Sequence, residues 1–210
     1  MRRSAEIVAA IGVPLLWSNV LLPRLNAGLR GRTTANAGFA TGYALVFRGA
    51  PHWFSARGVR IGLGAVLPVA AGYAAAVAIP ALRERLIELA DHEPEVPASE
   101  WVSVHIPIGT VYTEELVFRG TLEPLLDNTF GPRTGALLGA ATFGLWHIHP
   151  ARTAGDSVPG TVAITALGGL VFGRLRRHTG SATAPALLHW ALNAGGVLAP
   201  RLARRWQAPR

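Results

Sequence analysis

The sequence predicts an all-α fold, a polytopic membrane bundle of six or seven transmembrane helices. Half of its 210 residues are hydrophobic, only 15% are charged, and its mean hydropathy is +0.31. Apolar runs close to the length that crosses a bilayer recur along the chain, with Pro, Gly and Arg between them. Because no Gly/Ser linker divides these runs, we expect residues 1–210 to form a single integral-membrane domain.

The first hundred residues are predicted to supply N-terminal helices. Residues 5–22 follow two arginines, but no convincing small-residue cleavage site comes after them, so we expect an uncleaved first helix. Residues 34–47 are short and Gly-rich, which favours a tilted or re-entrant span, and 61–82 are long enough to cross. Residues 83–100 hold half of the acidic residues and are predicted to form an amphipathic turn that leads into a polar connector.

The second half is predicted to contain the functional core, at residues 101–199. Its apolar segments are separated by turn signals such as "FGPR" and "RRHTGS", and they are residues 101–126, 134–148, 158–173 and 181–199. Arginines in alternate loops are nearly equal in number on the two sides, so the sequence leaves the membrane orientation open.

All 20 basic residues are arginines, and cysteine is absent. The missing lysine and the abundance of Ala, Gly and Pro indicate a GC-rich coding bias, so the high pI does not indicate a nucleic-acid partner. Arginine pairs and triplets at 2–3, 174–177 and 201–205 suit contacts with lipid headgroups. We therefore predict the lipid bilayer as a partner, no nucleic acid, and a bacterial cytoplasmic membrane as the location. The oligomeric state is left open.

The stretch "TEELVFRGTLEP" places four charges in an apolar setting. A charge at mid-bilayer costs on the order of 3 kcal/mol, so such residues are retained mainly where they pair or act. On an α-helix, Glu115, Arg119 and Glu123 form one face on which the guanidinium can bridge both carboxylates. Glu114 is rotated by about 100° from Glu115, so it is less committed to this ion-pair network. A general base requires such a free carboxylate. The alternative is a packing network without chemistry.

Two later segments carry imidazole and amide groups. "FGLWH" places Phe143 and His147 one helical turn apart, and "HWALN" places His189 and Asn193 on one helix face. Each pair alone is more typical of interior hydrogen bonding. Together with a carboxylate, they are sufficient to activate water and stabilise an oxyanion, with or without a metal ion.

The segments "EELVFR", "FGLWH" and "HWALN" resemble the EExxxR, FxxxH and HxxxN motifs of the CAAX-protease and bacteriocin-processing family, also called Abi. That family includes the type II CAAX prenyl endopeptidases. The resemblance covers about residues 101–199, and the pattern GxxFGxLRxxTGS within 168–181 is also similar. It implies an intramembrane endopeptidase with a conical active-site cavity, acting on a peptide or a lipidated protein.

The resemblance also implies roles for individual residues. Glu114 would activate water together with His147, and His189 with Asn193 would hold the oxyanion. In a supporting role, Glu115 and Arg119 would form a positioning pair and Phe143 would shape the pocket.

Family members are often classed as metalloproteases, so a zinc ion is one expectation and a site without a cofactor is the other. His147, His189 and Glu114 could supply three ligands and leave a position for water. The helix-borne zinc motif HExxH is absent. Two functions of other classes also stay open: a small proton-coupled transporter and a non-catalytic membrane scaffold of the same family.

Overall fold

The computed structural model describes residues 2–88 and 95–207, and the secondary structure within these residues is helical, which confirms the all-α class. The end of the predicted 83–100 connector, at 89–94, lies outside the described residues.

Four helices form the described N-terminal half. α1 covers 2–24 and contains the π-helical turn Trp17–Leu21, and the others are α2 (Leu29–Val46), α3 (Ala56–Ala78) and α4 (Pro80–Glu88). The predicted span 61–82 is therefore divided between α3 and α4. The break follows from Pro80, whose ring disfavours helical geometry at the preceding residue, and Ile79 indeed has an extended backbone (φ −81°, ψ 118°).

Five helices form the second half. They are α5 (98–130), α6 (Pro132–Trp146), α7 (Ile148–Ala154), α8 (Val158–Thr179) and α9 (Thr183–Gln207). The four predicted apolar segments fall on α5, α6, α8 and α9, within eight residues at each end. Gly155 and Gly180 end α7 and α8 with left-handed backbone angles (φ 76° and 69°), which glycine adopts without steric cost.

The long helix α5 is wound mainly as a π-helix, over Trp101–Tyr112 and Glu115–Leu122. The hydroxyls of Thr113 and Thr121 donate to carbonyls five residues earlier, those of Ile108 and Leu116. A π-helix has more residues per turn than an α-helix, so successive side chains are rotated by less than 100°. Neighbouring side chains on α5 therefore point in more similar directions than α-helical geometry predicts.

α5 lies in the centre of the bundle and contacts α2, α6, α8 and α9. Its residues Val117, Phe118 and Leu122 are fully buried. The outer wall beside it is made by α3 and α9, which run in the same direction: Gly62 approaches Ala184 at one end, and the Tyr73 hydroxyl donates to the carbonyl of Leu192 (2.9 Å) further along.

Three helical segments of the described chain are long and apolar enough to cross a bilayer, namely Arg3–Arg24, Ala56–Ala78 and Val158–Thr179. Large apolar side chains such as Leu45 and Leu67 project outward from the bundle, as expected where lipid is the solvent. These features support an integral membrane protein. The finer predictions of six or seven spans and of a conical cavity stay predictions.

Candidate functional site

The charged face of α5 is buried in the centre of the bundle. Glu115, Arg119 and Glu123 are at most 2% exposed. The Arg119 Nε atom lies 3.6 Å from Glu115 Oε2 and 3.5 Å from Glu123 Oε1, so the guanidinium stands between the two carboxylates as the spacing predicts. None of its nitrogens meets hydrogen-bond geometry with a described residue. Aromatic rings supply the rest of its surroundings, with Phe143 4.4 Å and Phe172 5.0 Å from the guanidinium carbon.

His189 joins α9 to this face through both of its ring nitrogens. Its Nδ1 lies 2.9 Å from Glu115 Oε1, and because a carboxylate only accepts, Nδ1 carries the proton. Its Nε2 lies 3.6 Å from Glu114 Oε2, which is buried and has no hydrogen-bond partner among the described residues. Glu114 and Glu115 thus both face His189, at the point of α5 where the second π-helical segment begins.

The His189 ring is also fixed by an aromatic contact that the sequence reading did not assign. Phe172 of α8 stacks on it, with ring centroids 4.9 Å apart and an interplanar angle of 25°. Phe143 stands edge-on to the same ring at 6.2 Å. The signal for Phe172 lay in the pattern GxxFG within residues 168–181, where it is the aromatic position.

His147 also packs against Phe143, with ring centroids 4.9 Å apart. Its Nδ1 is 2.8 Å from the carbonyl oxygen of Phe143, so Nδ1 donates and Nε2 is left as an acceptor. Among the described residues, no hydrogen bond or ion pair joins His147 to Glu114. The structure therefore brings Glu114 to His189 directly, whereas His147 contacts the Phe143 ring, which itself stands edge-on to His189.

Asn193 follows His189 by one turn on α9 and is half-buried. One N–H of its amide donates to the His189 carbonyl oxygen (3.0 Å), and an amide group has a second N–H to donate. Asn193 thus lies one turn from His189, and one of its two amide N–H groups is used within the helix.

A second charged group continues the network toward one end of α5. Asp127 accepts hydrogen bonds from Arg176 (2.6 Å) and Arg177 (2.9 and 3.0 Å), and both arginines lie 3.5 Å from Glu123 Oε2. The expectation that the arginines of 174–177 contact lipid headgroups is therefore wrong for Arg176 and Arg177, since acidic residues of α5 hold both in the bundle.

The network is balanced in formal charge. Three carboxylates stand against three guanidinium groups, and its members are Glu115, Glu123, Asp127, Arg119, Arg176 and Arg177. Glu114 and His189 are the neighbouring titratable pair that this balance does not include. The site thus consists of a neutral structural network and one carboxylate–imidazole pair.

His105, on the same helix, has a different setting. Its Nδ1 lies 2.8 Å from the Thr33 hydroxyl, and its Nε2 lies 3.0 Å from Glu100. Glu100 precedes the predicted span 101–126 and also accepts two hydrogen bonds from Arg30. The bonds from Arg30 and His105 lower the pKa of Glu100 to about 2. These contacts tie α2 to α5 and give His105 a structural role, outside the candidate site.

The donor set for the predicted zinc ion was His147, His189 and Glu114. Within residues 2–88 and 95–207, no three His, Cys, Asp or Glu side chains converge in a metal-binding arrangement. The Nδ1 atom of His189 is occupied by Glu115, and His147 forms no hydrogen bond or ion pair with Glu114 among the described residues. As they lie, these side chains do not fit a metal site, and no step of the chemistry is assigned to one.

Comparison with protein families gives a match within this part of the chain. Residues 97–195 match the model of the family described as "Type II CAAX prenyl endopeptidase Rce1-like", a segment of just under half of the chain that contains α5, α6, α7, α8 and the first half of α9. Comparisons with curated proteins and with solved structures gave no significant match. The resemblance predicted from three short motifs is therefore confirmed over residues 97–195, where the chain is similar to the Rce1-like family of type II CAAX prenyl endopeptidases.

Proposed function

We propose that this chain is an intramembrane endopeptidase that hydrolyses a peptide bond in a polypeptide or lipidated protein near the bilayer surface. The family match supports the reaction class. The observation that carries the proposal is the pair formed by Glu114 and His189: a buried carboxylate oxygen without a hydrogen-bond partner among the described residues, 3.6 Å from an imidazole nitrogen whose ring is fixed by Glu115 and Phe172.

In the proposed reaction, Glu114 is the general base. Its free oxygen takes a proton from a water molecule, and the oxygen of that water attacks the carbonyl carbon of the substrate. His147 is proposed to assist at the same water, since its Nδ1 is occupied by the Phe143 carbonyl and its Nε2 is an acceptor.

The tetrahedral intermediate carries a negative charge on the former carbonyl oxygen. We assign its stabilisation to the Nε2–H of protonated His189 and to the second N–H of the Asn193 amide. Glu115 accepts from Nδ1 and so orients the His189 ring, and the Arg119 guanidinium lies beside Glu115. The carbon–nitrogen bond then breaks as the proton held by Glu114 passes to the leaving amine, which regenerates the carboxylate.

The proposal is tested with purified protein in detergent. Farnesylated peptides and their unlipidated counterparts are incubated with the wild type and with Glu114→Ala and Glu115→Ala. We expect Glu114→Ala to stay folded and lose cleavage, whereas Glu115→Ala also lowers the unfolding temperature because it releases both Arg119 and His189. Glu84→Ala, an exposed residue of α4, is the matched control. Cleavage by Glu114→Ala at the wild-type rate would refute the mechanism.

The same assay examines the zinc prediction independently. The wild type is treated with a chelator, dialysed, and supplied with zinc, and the zinc content of the protein is measured alongside cleavage. If cleavage is lost when zinc is removed and returns when zinc is bound again, the reaction requires the metal. If cleavage is unchanged by chelation, a metal requirement is excluded.

A further inference from the structure

An open groove of about 980 Å³ lies between α3 and α9, on the outer side of the bundle. Its walls are small or apolar, with Val66 and Ala74 from α3 and Leu198 from α9 among them. This volume is at the upper end of the range for pockets that hold a small organic ligand. Because the groove runs along two parallel helices, of which α3 is long and apolar enough to cross a bilayer, its shape suits an extended alkyl chain.

One end of the groove is positively charged. Arg205 is the charged residue among the described groove-lining side chains, and acidic residues are absent from that lining. Arg205 is exposed and forms no ion pair with a described carboxylate. A second guanidinium is close by, since Arg83 donates to the carbonyl oxygen of Val77 (3.3 Å), and Val77 lines the groove. α3 ends at Ala78, so this is the level at which a spanning helix leaves the hydrocarbon core.

Trp206 lines the same end and is 68% exposed. Exposed tryptophan beside arginine is typical of the boundary between hydrocarbon and headgroups. An alkyl chain in the groove would thus have its polar end beside Arg205, where a phosphate group is attracted and an ammonium group is repelled.

We propose that this groove is a binding site for one anionic phospholipid, with an acyl chain along α3 and α9 and the phosphate at Arg205. The proposal is independent of the proteolytic function. The bound lipid would brace the outer face of α9, where Trp190 and Ala194 line the groove, while the inner face of the same helix carries His189.

The test compares two lipids that differ in headgroup charge. Purified protein in detergent is mixed with dioleoyl phosphatidylglycerol or dioleoyl phosphatidylcholine, and retained lipid is counted by native mass spectrometry. We expect the wild type to retain one phosphatidylglycerol at concentrations where phosphatidylcholine is lost, with a raised unfolding temperature. Arg205→Gln should weaken this retention about fivefold, the effect of one arginine at an anionic surface. Arg152→Gln, an exposed arginine of α7, should retain lipid as the wild type does.

A second variant tests the acyl-chain part of the site. Ala74 is exposed into the groove, so Ala74→Trp should fill the groove and abolish phosphatidylglycerol retention. Ala71→Trp places the same indole on an exposed position of α3 outside the groove and should have no effect. The proposal is overturned if the wild type retains both lipids equally, if Ala74→Trp still retains phosphatidylglycerol, or if a farnesylated peptide displaces the lipid, which would assign the groove to substrate.

Discussion

Arg119 carries its charge in a fully buried environment. Its Nε atom lies 3.5 to 3.6 Å from two carboxylates, and aromatic rings cover its face. Removing one partner of a buried ion pair is costly because the charge that stays behind is no longer compensated. The guanidinium is therefore required for the burial of Glu115 and Glu123.

We predict that Arg119→Met destabilises the protein by about 3–5 kcal/mol, because it leaves two buried carboxylates with less compensation. Unfolding in detergent, followed by circular dichroism, measures the loss. Arg133→Met on α6 is the exposed control. Adding Glu123→Gln to Arg119→Met should recover part of the stability, since it restores the balance between carboxylates and guanidinium groups. A double variant less stable than Arg119→Met would contradict this account.

Between elements, the ion pairs that join Glu123 of α5 to α8 lie against a glycine. A methyl group at Gly173 would lie 2.7 Å from an Arg177 guanidinium nitrogen and 2.7 Å from Glu123 Oε2. We predict that Gly173→Ala destabilises the protein by about 1–3 kcal/mol, because the methyl group separates these ion pairs. Gly168→Ala, on the same helix, meets only a Phe172 ring carbon at 4.0 Å and should be neutral or slightly stabilising. Equal unfolding temperatures for the two variants would refute the prediction.

The contact between α2 and α5 should depend on pH. Glu100 has a pKa of about 2 in the folded protein against an ordinary value of 4.5. Its ionised form therefore contributes stability that is complete above about pH 4.5 and is lost as the pH falls toward 2. We expect the difference in unfolding temperature between wild type and Glu100→Gln to shrink between about pH 6 and about pH 3. Because Arg30 is 72% exposed, salt should reduce the difference further, and a difference independent of pH would argue against this contact.

The positions of the helices could be predicted from the sequence because apolar runs and their Pro and Gly boundaries are local signals. The predicted span 61–82 was nevertheless divided at Ile79, where a proline acts on the residue before it. The π-helical winding of α5 left no such signal, so the α-helical rotation of 100° predicted that Glu114 and Glu115 lie on different faces, with Glu115 in a supporting role. The partners of Arg176 and Arg177 depend on how α5 and α8 pack, which a linear pattern does not encode.

At the level of the whole molecule, the described loops fall into two groups. The backbone N–H of Ala182 donates to the carbonyl oxygen of His52, which places the α2–α3 and α8–α9 connections together. Leu29 N–H donates to Glu95, which places the α1–α2 connection beside the start of α5. If the long helices cross the membrane, these two groups lie on opposite sides.

The chain contains no cysteine, so single cysteines can report this arrangement without background labelling. We predict that His52→Cys and Arg133→Cys react with an impermeant maleimide from one side of sealed vesicles. Leu25→Cys and Asp156→Cys should react from the other side only. Labelling of Leu25→Cys and His52→Cys from the same side would mean that α2 does not cross, as a re-entrant segment would not.

The parallel placement of α3 beside α9 limits how far the motif-bearing segment can be transplanted. The family match begins at residue 97, yet the helix that carries His189 is held by Tyr73, and Ser18 of α1 donates to the Trp146 carbonyl oxygen at the end of α6 (2.7 Å). A graft of residues 97–195 onto a foreign set of helices would lack both supports. The N-terminal helices therefore act as a scaffold. A graft should retain the residues of these helices that contact α6 and α9, and the rest of their sequence matters less.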